Sequence, residues 1–409
     1  MSKINFCRSC KSKKLDNLFS LGNQYFTGIF PRSKNTKVPS GNLELIKCKN
    51  CSLVQLSENF SLKKMYGKNY GYRTGLNLSM VNHIKKKVQT LKRKINLNDN
   101  DLIIDIGSND GTLLKCFDYN RYNLVGIDPT ILKFKKYYPK EIKKVSNFFS
   151  KKNLSKIIQN KKAKLITSIA MFYDLPDPKS FAKEIYSLLD DNGVWHLEQS
   201  YSGHMLKNLS YDTICHEHLE YYSLKSIKYI FDKANLKIID IKFNKINGGS
   251  FALTVAKKNS PLVSNKKNIL KILKKEKIEK VNSTQIYRNF YKKITDQKIK
   301  LVNLLKKIKK NKRSVIGYGA STKGNVILQF CNINSNLINS ICEVNTDKNN
   351  CYTPGSKIKI ISEKLSKKIK PDYYFVLPWH FKKFIIQKEK KLINKGTRFI
   401  FPLPRLRIY

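Results

Sequence analysis

The amino-acid sequence predicts a three-part α/β protein: a small metal-bound N-terminal module, a central doubly wound domain and a second α/β domain at the C-terminus. Three observations carry this prediction. Two Cys-x2-Cys pairs lie near the N-terminus, a strand–loop–helix alternation starts at residue 101, and a second strand, glycine loop and helix start at residue 314. A chain of 409 residues is also too long for one ordinary core, so two or three domains are expected.

The composition indicates a globular protein of the cytoplasm. Hydrophobic residues make up 41% of the chain, no run of about 18 apolar residues occurs, and MSKINFCRSC lacks the apolar core of a signal peptide. We therefore expect no membrane partner. The net charge of +51 comes from lysines spread over the whole chain. Because nucleic-acid binders concentrate charge on one face, we interpret these lysines as a solvated surface and expect no nucleic-acid partner.

The N-terminal module is predicted from its cysteines, because thiols in a cytosolic chain stay reduced. Four of the nine are paired by spacing: Cys7 with Cys10, and Cys48 with Cys51. Two such pairs supply four thiolates to one tetrahedral ion, for which zinc is the default. The alternative, four unrelated thiols, leaves the matching spacings unexplained. The long insert between the pairs favours a structural, zinc-ribbon-like site, with short strands and turns over residues 1–60.

The central domain follows from a regular alternation of apolar segments. An aromatic, glycine-rich loop over Met65–Asn77 precedes a helix with apolar residues at helical spacing, namely Met80, Ile84, Val88 and Leu91. Next come a buried strand LIIDI, a helix beginning at LLKCF and a strand NLVGID. Further strands are predicted over 163–170 and 193–200, with a helix over 180–189 between them. This alternation is typical of a doubly wound domain.

The C-terminal third repeats the α/β pattern after a helical, lysine-rich stretch. Residues 264–310 carry apolar side chains at helical spacing, which predicts long helices with a solvated charged face. A strand, glycine loop and helix follow over 314–325, and later strands are SICEV, YYFVLP and RFIFP. The expected domains are residues 1–80, 81–260 and 261–409.

The loop in LIIDIGSNDGTLL indicates a cofactor site. Gly107 and Gly111 bend the chain tightly after the strand, so that Asn109, Asp110 and backbone amides can approach a ligand. The third glycine of G-x-G-x-x-G is missing, and dinucleotide binding remains the competing interpretation. Asp128 ends the next strand, where a carboxylate usually holds ribose hydroxyls.

A D-x-G-x-x-x-G loop of this kind resembles the S-adenosylmethionine loop of class I methyltransferases. In that comparison Asp105 orients the loop. Met171, in MFYDLPDP after the fourth strand, is expected to flank the methionine or adenine moiety of the cofactor.

The segment SYDTICHEHLEYYS, residues 210–223, contains two of the six histidines. His216 and His218 share a face of an extended segment, but H-E-x-x-H is absent; a catalytic metal and purely structural histidines are the alternatives to a general base. A positioned base contributes roughly 10²–10⁴-fold. Removing a proton from carbon also requires an adjacent carbonyl and donors for the enolate oxygen. The candidate donors are Tyr72, His196, Tyr221 and Tyr222.

Four features occur in order: the paired C-x2-C motifs, DIGSNDGTLL, YDTICHEHLEYYS with NGGSFALTV, and GYGASTKGN with PWHF. Over nearly the full chain, this order resembles the three-part sugar C-methyltransferases that act on nucleotide-activated deoxy-keto-sugars. The resemblance implies a zinc module, a central class I S-adenosylmethionine domain and a Rossmann-like C-terminal domain, with the keto-sugar nucleotide between the latter two. It implies deprotonation beside the 4-keto group and methylation of a ring carbon, usually C3.

The resemblance also assigns roles residue by residue. His218 corresponds to the general base, Glu217 to the residue that orients or polarises it, His196 to an assisting histidine and Tyr72 to an assisting tyrosine. Tyr222 remains a candidate donor. Many relatives have a tyrosine where this chain has Cys215, and MFYDLPDP replaces a loop that usually carries a histidine.

The loop GYGASTKGN is expected to bind the substrate diphosphate. Its Gly319, Ser321, Thr322 and Lys323 offer amides, hydroxyls and a cation, and Asn247 in the NGG turn is a further candidate. An NAD site or a purely structural turn are the alternatives. Two other functions stay open: methylation of a sugar hydroxyl and, more remotely, nucleic-acid binding by a basic zinc-ribbon protein. The sequence is silent on the nucleotide, the sugar and the oligomeric state.

Overall fold

The structure is a computed structural model that describes residues 2–66, 70 and 72–409. Its strands are β1 Ser2–Lys3, β2 Leu15–Tyr25, β3 Ser40–Cys48, β4 Val54–Leu56, β5 Glu58–Asn59, β6 Leu102–Ile106, β7 Asn123–Ile127, β8 Lys143–Val145, β9 Ala163–Ile169, β10 Leu189–Ser200, β11 Glu220–Tyr221, β12 Leu236–Asn244, β13 Ser250–Lys257, β14 Val315–Tyr318, β15 Ser340–Glu343, β16 Ile360–Ser362, β17 Tyr373–Val376, β18 Arg398–Phe401 and β19 Arg407–Ile408.

The α-helices are α1 Leu62–Met65, α2 Leu78–Lys94, α3 Ile131–Phe134, α4 Lys151–Ile158, α5 Pro178–Leu188, α6 Ser202–Asn208, α7 Leu224–Lys233, α8 Lys266–Ile278, α9 Thr284–Lys310, α10 Thr322–Phe330, α11 Glu363–Ile369, α12 Lys382–Lys388 and α13 Lys390–Asn394. Within the described part of the chain, no helix is both long and apolar enough to cross a membrane.

The N-terminal module is an antiparallel sheet that borrows a strand from the middle of the chain. Its order is β11-β4-β3-β2, and Glu220 and Tyr221 of β11 pair with Gln55 and Val54 of β4. β11 begins two residues after His218. The sheet that surrounds the cysteine pairs is therefore continuous with the histidine-rich segment, a connection that spans about 165 residues of sequence.

The central domain is a seven-stranded sheet of order β12-β13-β10-β9-β6-β7-β8, in which β13 alone runs antiparallel to its neighbours. β6 is buried along its whole length because helices cover both faces of the sheet. The predicted doubly wound domain is confirmed. The helix predicted at LLKCF is only a 3-10 turn over Leu114–Cys116, because the chain must turn at Asp118 to enter β7 at Asn123.

Side-chain alternation along β10 separates the two faces of the central sheet. Val194 packs with the predicted apolar stripe of α2, which Asn77 caps by accepting the Met80 amide. Trp195 points to the opposite face and packs in the core that contains α5 and α7. Even-numbered residues of β10 therefore face α2, and odd-numbered ones face the other layer.

The C-terminal domain is a six-stranded sheet of order β16-β15-β14-β17-β18-β19, parallel except for β19. The predicted helices over 264–310 are α8 and the 27-residue α9, whose apolar stripe is buried. Tyr291 of α9 is 37% exposed, and its ring stacks on Phe19 of β2 with ring centroids 5.1 Å apart. α9 therefore packs the C-terminal domain onto the N-terminal module.

Candidate active site

The four N-terminal thiols form one cluster. The Sγ atoms of Cys7 and Cys51 are 3.5 Å apart, those of Cys10 and Cys48 are also 3.5 Å apart, and all four lie within 4.8 Å of one another. Zn–S bonds of about 2.3 Å in a tetrahedron place sulfurs about 3.8 Å apart, so the donor set fits zinc. Three of the four thiols are fully buried and all four positions are protein ligands, which makes the site structural.

Arg8 connects this cluster to the histidine-rich segment. Arg8 is buried, and its guanidinium donates to the carbonyls of Leu56 at 2.6 Å and Glu58 at 2.7 Å. Its Nε lies 3.8 Å from Oε1 of Glu220, which is also buried. The zinc site therefore supports the strand that follows His218.

The two histidines of the segment have different environments. His216 is fully buried, with its ring centroid 4.7 Å from Phe26 and 4.8 Å from Phe60, and its Nε2 is 3.3 Å from the carbonyl of Gly41. His216 is therefore a core residue, which agrees with the alternative interpretation that a histidine of this segment is purely structural. His218 is half-buried, and its ring centroid lies 4.1 Å from that of Tyr173. Of the two, only His218 is placed to meet a substrate.

The tautomer of His218 is set by a single contact. Its Nδ1 is 2.7 Å from the carbonyl oxygen of Thr213, and because a carbonyl only accepts, Nδ1 must carry the proton. The lone pair on Nε2 is then available to take a proton. Burial, with a smaller contribution from the Lys323 ammonium, lowers the pKa of His218 to about 3. The ring is therefore neutral, as a base must be, at physiological pH.

Glu217 anchors the segment to the N-terminal module instead of touching the base. Its Oε2 accepts from Thr27 Oγ1 at 3.2 Å, and the Gly28 amide and the Cys215 thiol also donate to the carboxyl group. Burial raises the pKa of Glu217 above its usual range. The expectation that Glu217 orients His218 finds no direct contact in the structure, because the carbonyl of Thr213 makes the orienting bond.

Gly28 offers a test of this anchor. A Cβ at Gly28 would lie 2.6 Å from Oε1 of Glu217, so we expect Gly28→Ala to displace the carboxylate and the segment behind it. A shift of about 1 Å at a catalytic group costs on the order of 10²-fold in rate, and steady-state methyl transfer would show this as a lower kcat. Thr27→Val, which removes one donor without a clash, should have the smaller effect; equal activity of all three proteins would contradict the anchor.

His196 is not brought to His218. It lies in β10 on the face that α2 covers, with Nδ1 3.1 Å from Thr254 Oγ1 and Nε2 3.3 Å from Lys87 Nζ. Burial lowers the pKa of His196 to about 3. His218 instead packs on Tyr173, whose neighbour Phe172 belongs to the opposite layer of the sheet. The structure therefore has His196 on the face of β10 that α2 covers, with Thr254 and Lys87 as partners, and its assisting role stays a prediction.

The predicted tyrosines are also separated. Tyr222 is fully buried and stacks on Phe172 with centroids 5.3 Å apart, so it belongs to the core of the central domain. Tyr72 is 40% exposed and lies beside the cofactor loop, where its carbonyl accepts from Asn109 Nδ2 at 3.4 Å. Tyr221, 6% exposed, pairs within the N-terminal sheet. The structure does not place Tyr222 as a donor beside His218.

Two residues that the sequence analysis did not select occupy the place next to the segment. Oη of Tyr66 donates to Oδ2 of Asp174 at 2.6 Å. Asp174 follows Tyr173, the residue that contacts His218. Its position offered a signal, because Asp174 lies after the C-terminal end of β9, where ligands collect in parallel sheets. The sequence analysis assigned this loop to the cofactor only.

The cofactor loop has the expected tight turn. Gly107 has φ +74°, and a Cβ there would lie 3.1 Å from Cγ of Met171, so the loop and Met171 enclose a narrow space that only glycine leaves open. Asp105 accepts from Thr167 Oγ1 at 2.7 Å, and burial raises its pKa to about 7. Asp128, the residue after β7, accepts a hydrogen bond from the backbone amide of Asn109 at 3.0 Å. A glycine cradle beside a buried carboxylate fits S-adenosylmethionine.

Three of the predicted cofactor ligands mainly shape the loop. Asn109 Oδ1 accepts the amide of Thr74 and Asp110 Oδ2 accepts that of Gly75, both at 2.9 Å. Gly111, with φ +74°, is required by packing, because a Cβ there would lie 2.8 Å from the ring of Tyr138. The segment before α2 is therefore docked on the cofactor loop by side chains that the sequence analysis assigned to ligand binding.

The predicted substrate residues converge from two domains. Lys323 Nζ donates to the carbonyl of Asn247 at 3.2 Å, and the adjacent Gly248 lies against Trp379. Trp379 Nε1 donates to Asp212 Oδ2 at 2.9 Å, which ties the PWHF motif to the histidine-rich segment. Burial lowers the pKa of Lys323, and the nearby carboxyl group of Asp212 opposes this shift.

The remaining members of the glycine loop build the turn and the helix start. Gly319 has φ +82°, and a Cβ there would lie 2.8 Å from Pro378. Ser321 caps α10 by accepting the Gly324 amide at 3.0 Å, and Thr322 is the first residue of that helix. The observed roles of Gly319, Ser321 and Thr322 agree with the alternative of a purely structural turn. At the domain junction, the ammonium of Lys323 and the backbone carbonyl of Asn247 remain the candidate substrate-binding groups.

His216 makes the stability of the fold depend on pH. Burial lowers its pKa to about 4, so the unfolded chain gains a proton between pH 6.5 and about 4 that the folded chain refuses. Stability must fall as pH falls through this window, by up to about 1.4 kcal/mol per pH unit for this group. When the pH falls from 7 to 4.5, we expect the free energy of unfolding of His216→Phe to decrease by about 2 kcal/mol less than that of the parent protein. Urea unfolding of both proteins at both pH values measures these decreases. Equal decreases in the parent and in His216→Phe would refute the prediction.

The comparisons with solved structures each cover less than half of this chain. Among solved structures, the magnesium protoporphyrin IX methyltransferase of Synechocystis with bound S-adenosylmethionine is 12% identical, with a TM-score of 0.34 over 48% of this chain and 88% of that chain. An S-adenosylmethionine-dependent methyltransferase of Clostridium acetobutylicum is 13% identical, with a TM-score of 0.31 over 42% of this chain and 89% of that chain.

The more specific matches are in sequence. A family model described as "Putative zinc binding domain" matches residues 7–66, one described as "Methyltransferase domain" matches 80–241, and one described as "C-methyltransferase C-terminal domain" matches 245–404. The C-methyltransferase NovU of Streptomyces niveus is 27% identical over 370 residues, which cover 90% of this chain and 87% of the relative. The chain therefore carries, in this order, a zinc-binding domain, a methyltransferase domain and a C-methyltransferase C-terminal domain, and it is an S-adenosylmethionine-dependent C-methyltransferase.

Proposed function

We propose that this C-methyltransferase acts on a nucleoside-diphosphate-linked 4-keto-6-deoxyhexose and methylates a ring carbon next to the keto group, at C3. The observation that carries the proposal is His218, a half-buried neutral imidazole whose Nδ1–H is fixed by the carbonyl of Thr213. A ring carbon is acidic enough for such a base only beside a carbonyl group. Methyl transfer to oxygen has no need of that arrangement.

The charges around the site suit an anionic substrate. Lys323 lies where the C-terminal domain meets the NGG turn, close enough to His218 for its charge to lower the pKa of the imidazole. A diphosphate bound to Lys323 would neutralise that charge and restore basicity to His218. Substrate binding and activation of the base are therefore coupled in this proposal, with Asn247 contributing through its backbone.

The chain's own groups account for the proton transfer. His218 Nε2 takes a proton from the ring carbon, and the C–H electron pair moves onto the carbonyl oxygen to give an enolate. As negative charge grows next to the imidazole, its basicity rises, which offsets the low pKa of the free site. S-adenosylmethionine, for which the Gly107 loop, Met171 and Asp128 provide the site, supplies a methyl group on a sulfonium.

The other interpretations make different demands on the molecule. A sugar O-methyltransferase would leave ring hydrogens untouched, whereas the present proposal requires their exchange with solvent. Nucleic-acid binding by the basic surface would need neither His218 nor the cofactor loop. The structure describes all nine cysteines and pairs none of them in a disulfide. Reduced cysteines suit the cytoplasm, and that location is part of the proposal.

One reaction tests the function. Purified protein with S-adenosylmethionine is incubated with thymidine-, uridine-, guanosine- and cytidine-diphosphate 4-keto-6-deoxyhexoses, and products are analysed by mass spectrometry and carbon-resolved NMR. We expect one added methyl group on C3, and no product when S-adenosylhomocysteine replaces the donor. A methyl on oxygen would refute the enolate mechanism, and a methyl on another carbon would correct the position.

A further inference from the structure

Beside the histidine-rich segment lies a pair of polar groups that the proposed mechanism has not yet used. Oη of Tyr66, at the end of the N-terminal module, donates to Oδ2 of Asp174 at 2.6 Å. The two residues are 108 positions apart in sequence and belong to different domains. Tyr173, the neighbour of Asp174 in sequence, packs on His218 with ring centroids 4.1 Å apart, so the pair lies beside the candidate base.

Asp174 has capacity left for one more partner. Its Oδ1 is buried and has no hydrogen-bond partner among residues 2–66, 70 and 72–409. An unpartnered buried carboxyl oxygen costs free energy, so such atoms tend to mark places where a ligand or proton completes the bonding. The residue itself is only half-buried, which leaves a path for a ligand.

The surroundings of Asp174 are acidic and phenolic. Burial raises the pKa of Asp174 well above its usual range, the bond from Tyr66 opposes this, and the charge of Glu217 adds to the rise. The titratable groups that interact with it come from the N-terminal module, its own turn and the histidine-rich segment: Tyr66, Tyr70, Tyr173, Cys215, Glu217 and Glu220. None of these groups is a cation.

We propose that the neutral carboxyl group of Asp174 donates a hydrogen bond through Oδ1–H to the substrate carbonyl oxygen that becomes the enolate oxygen, while the hydroxyl of Tyr66 donates to Oδ2 and holds the carboxyl group in place. The inference rests on the proposed function and names its missing electrophilic partner. When His218 Nε2 removes the proton from the ring carbon, the electron pair arrives on an oxygen held by Asp174 Oδ1–H. No proton needs to leave the pair, so the charge is stabilised without a further transfer.

The physical reason for pairing an acid with a phenol is the low polarity of the site. A neutral acid can donate a hydrogen bond only if burial keeps it protonated at neutral pH, and a carboxyl held neutral beside a tyrosine is a known way to stabilise an enolate. A single such donor contributes roughly 10²–10³-fold. The pair also replaces the donors Tyr222 and His196, which lie in the core and on the other sheet face.

Two measurements test the pair. The first is the exchange of ring hydrogen for deuterium in heavy water, with S-adenosylhomocysteine and the same four nucleoside-diphosphate ketosugars, followed by NMR between pH 6 and 10. We expect Asp174→Ala to slow exchange by roughly 10²–10³-fold. Tyr66→Phe removes only the bond to Oδ2 and should slow exchange by a smaller factor. Asp174→Asn, which keeps an N–H donor, should lose less than tenfold.

The pH profile separates catalysis from structure. Ionisation of Asp174 would remove its donor, so exchange by the parent protein should decline as pH rises through the raised pKa of this carboxyl. Asp174→Asn cannot ionise at this position and should lose the decline in exchange rate at high pH, which we call the alkaline limb. The matched control is Asp177→Asn, the same change three residues away at a surface ion pair with Lys11, which should keep the limb. An identical limb in Asp174→Asn would overturn the proposal.

The second measurement needs no substrate. The infrared difference spectrum between the parent protein and Asp174→Asn at pH 7 should contain the carbonyl band of one protonated carboxylic acid. A carboxylate band instead would overturn the pair, whatever the substrate is. If the parent exchanges no ring hydrogen in any ketosugar, the proposed function fails, whereas normal exchange with unaffected Asp174→Ala refutes the pair alone.

Discussion

Replacing His218 by alanine is expected to lower kcat for carbon methylation by about 10²–10⁴-fold while the affinity for S-adenosylmethionine stays unchanged. The imidazole is the only half-buried ring of the histidine-rich segment, and its contacts are with Thr213 and Tyr173, not with the Gly107 loop. Solvent exchange of the ring hydrogen should fall in parallel with turnover, because the same proton transfer limits both. Calorimetric titration of the cofactor measures the unchanged affinity.

Imidazole added to the His218→Ala protein provides the control for this prediction. If the loss comes from the missing base, free imidazole in the vacated space should restore part of the exchange rate. A protein that has merely lost its packing would not respond. Full activity in His218→Ala, with parental exchange, would remove His218 from the role of base.

Removing the zinc ion is expected to have the second large effect. Structural zinc sites contribute on the order of 10 kcal/mol to folding, and here the module also carries the partners of the catalytic segment. β11 pairs with β4, Thr27 binds Glu217, and Arg8 approaches Glu220. We therefore expect Cys48→Ser to lose zinc, to unfold at a lower temperature and to lose methyl transfer, although Cys48 lies in the N-terminal cluster and not beside His218.

Cys116→Ser is the matched control, because Cys116 is half-buried outside the cluster and donates to the carbonyl of Thr112 at 3.4 Å, a bond that serine can also make. It should keep one zinc per chain by metal analysis and the parental unfolding temperature. A Cys48→Ser protein with parental zinc content and stability would show that the four thiols are not a metal site.

Much of the fold could be predicted from local patterns. The two cysteine pairs, the apolar stripe of α2 and the buried strand LIIDI each follow from spacing along the chain, and the structure has each of them. The helix predicted after that strand failed, because the short return to β7 leaves room for one turn only. The domain limits at residues 80 and 260 remain a prediction.

The site could be predicted only in part. His218 and Lys323 were selected from motifs, and both lie at the domain junction. His196 was selected with equal reason and lies on the other side of the sheet. Asp174 and Tyr66 were passed over because neither stands out in sequence and their contact joins two domains.

The sequence by itself determined the metal ligands, the succession of strands and helices and the membership of the family, since each depends on residues near one another or on their order. The tertiary structure alone decided which face of β10 meets the catalytic segment, which histidine is buried between phenylalanines, and which carboxyl meets a tyrosine 108 residues away. The reason is physical: strand alternation assigns two faces, but only packing of the layers decides which face is the site.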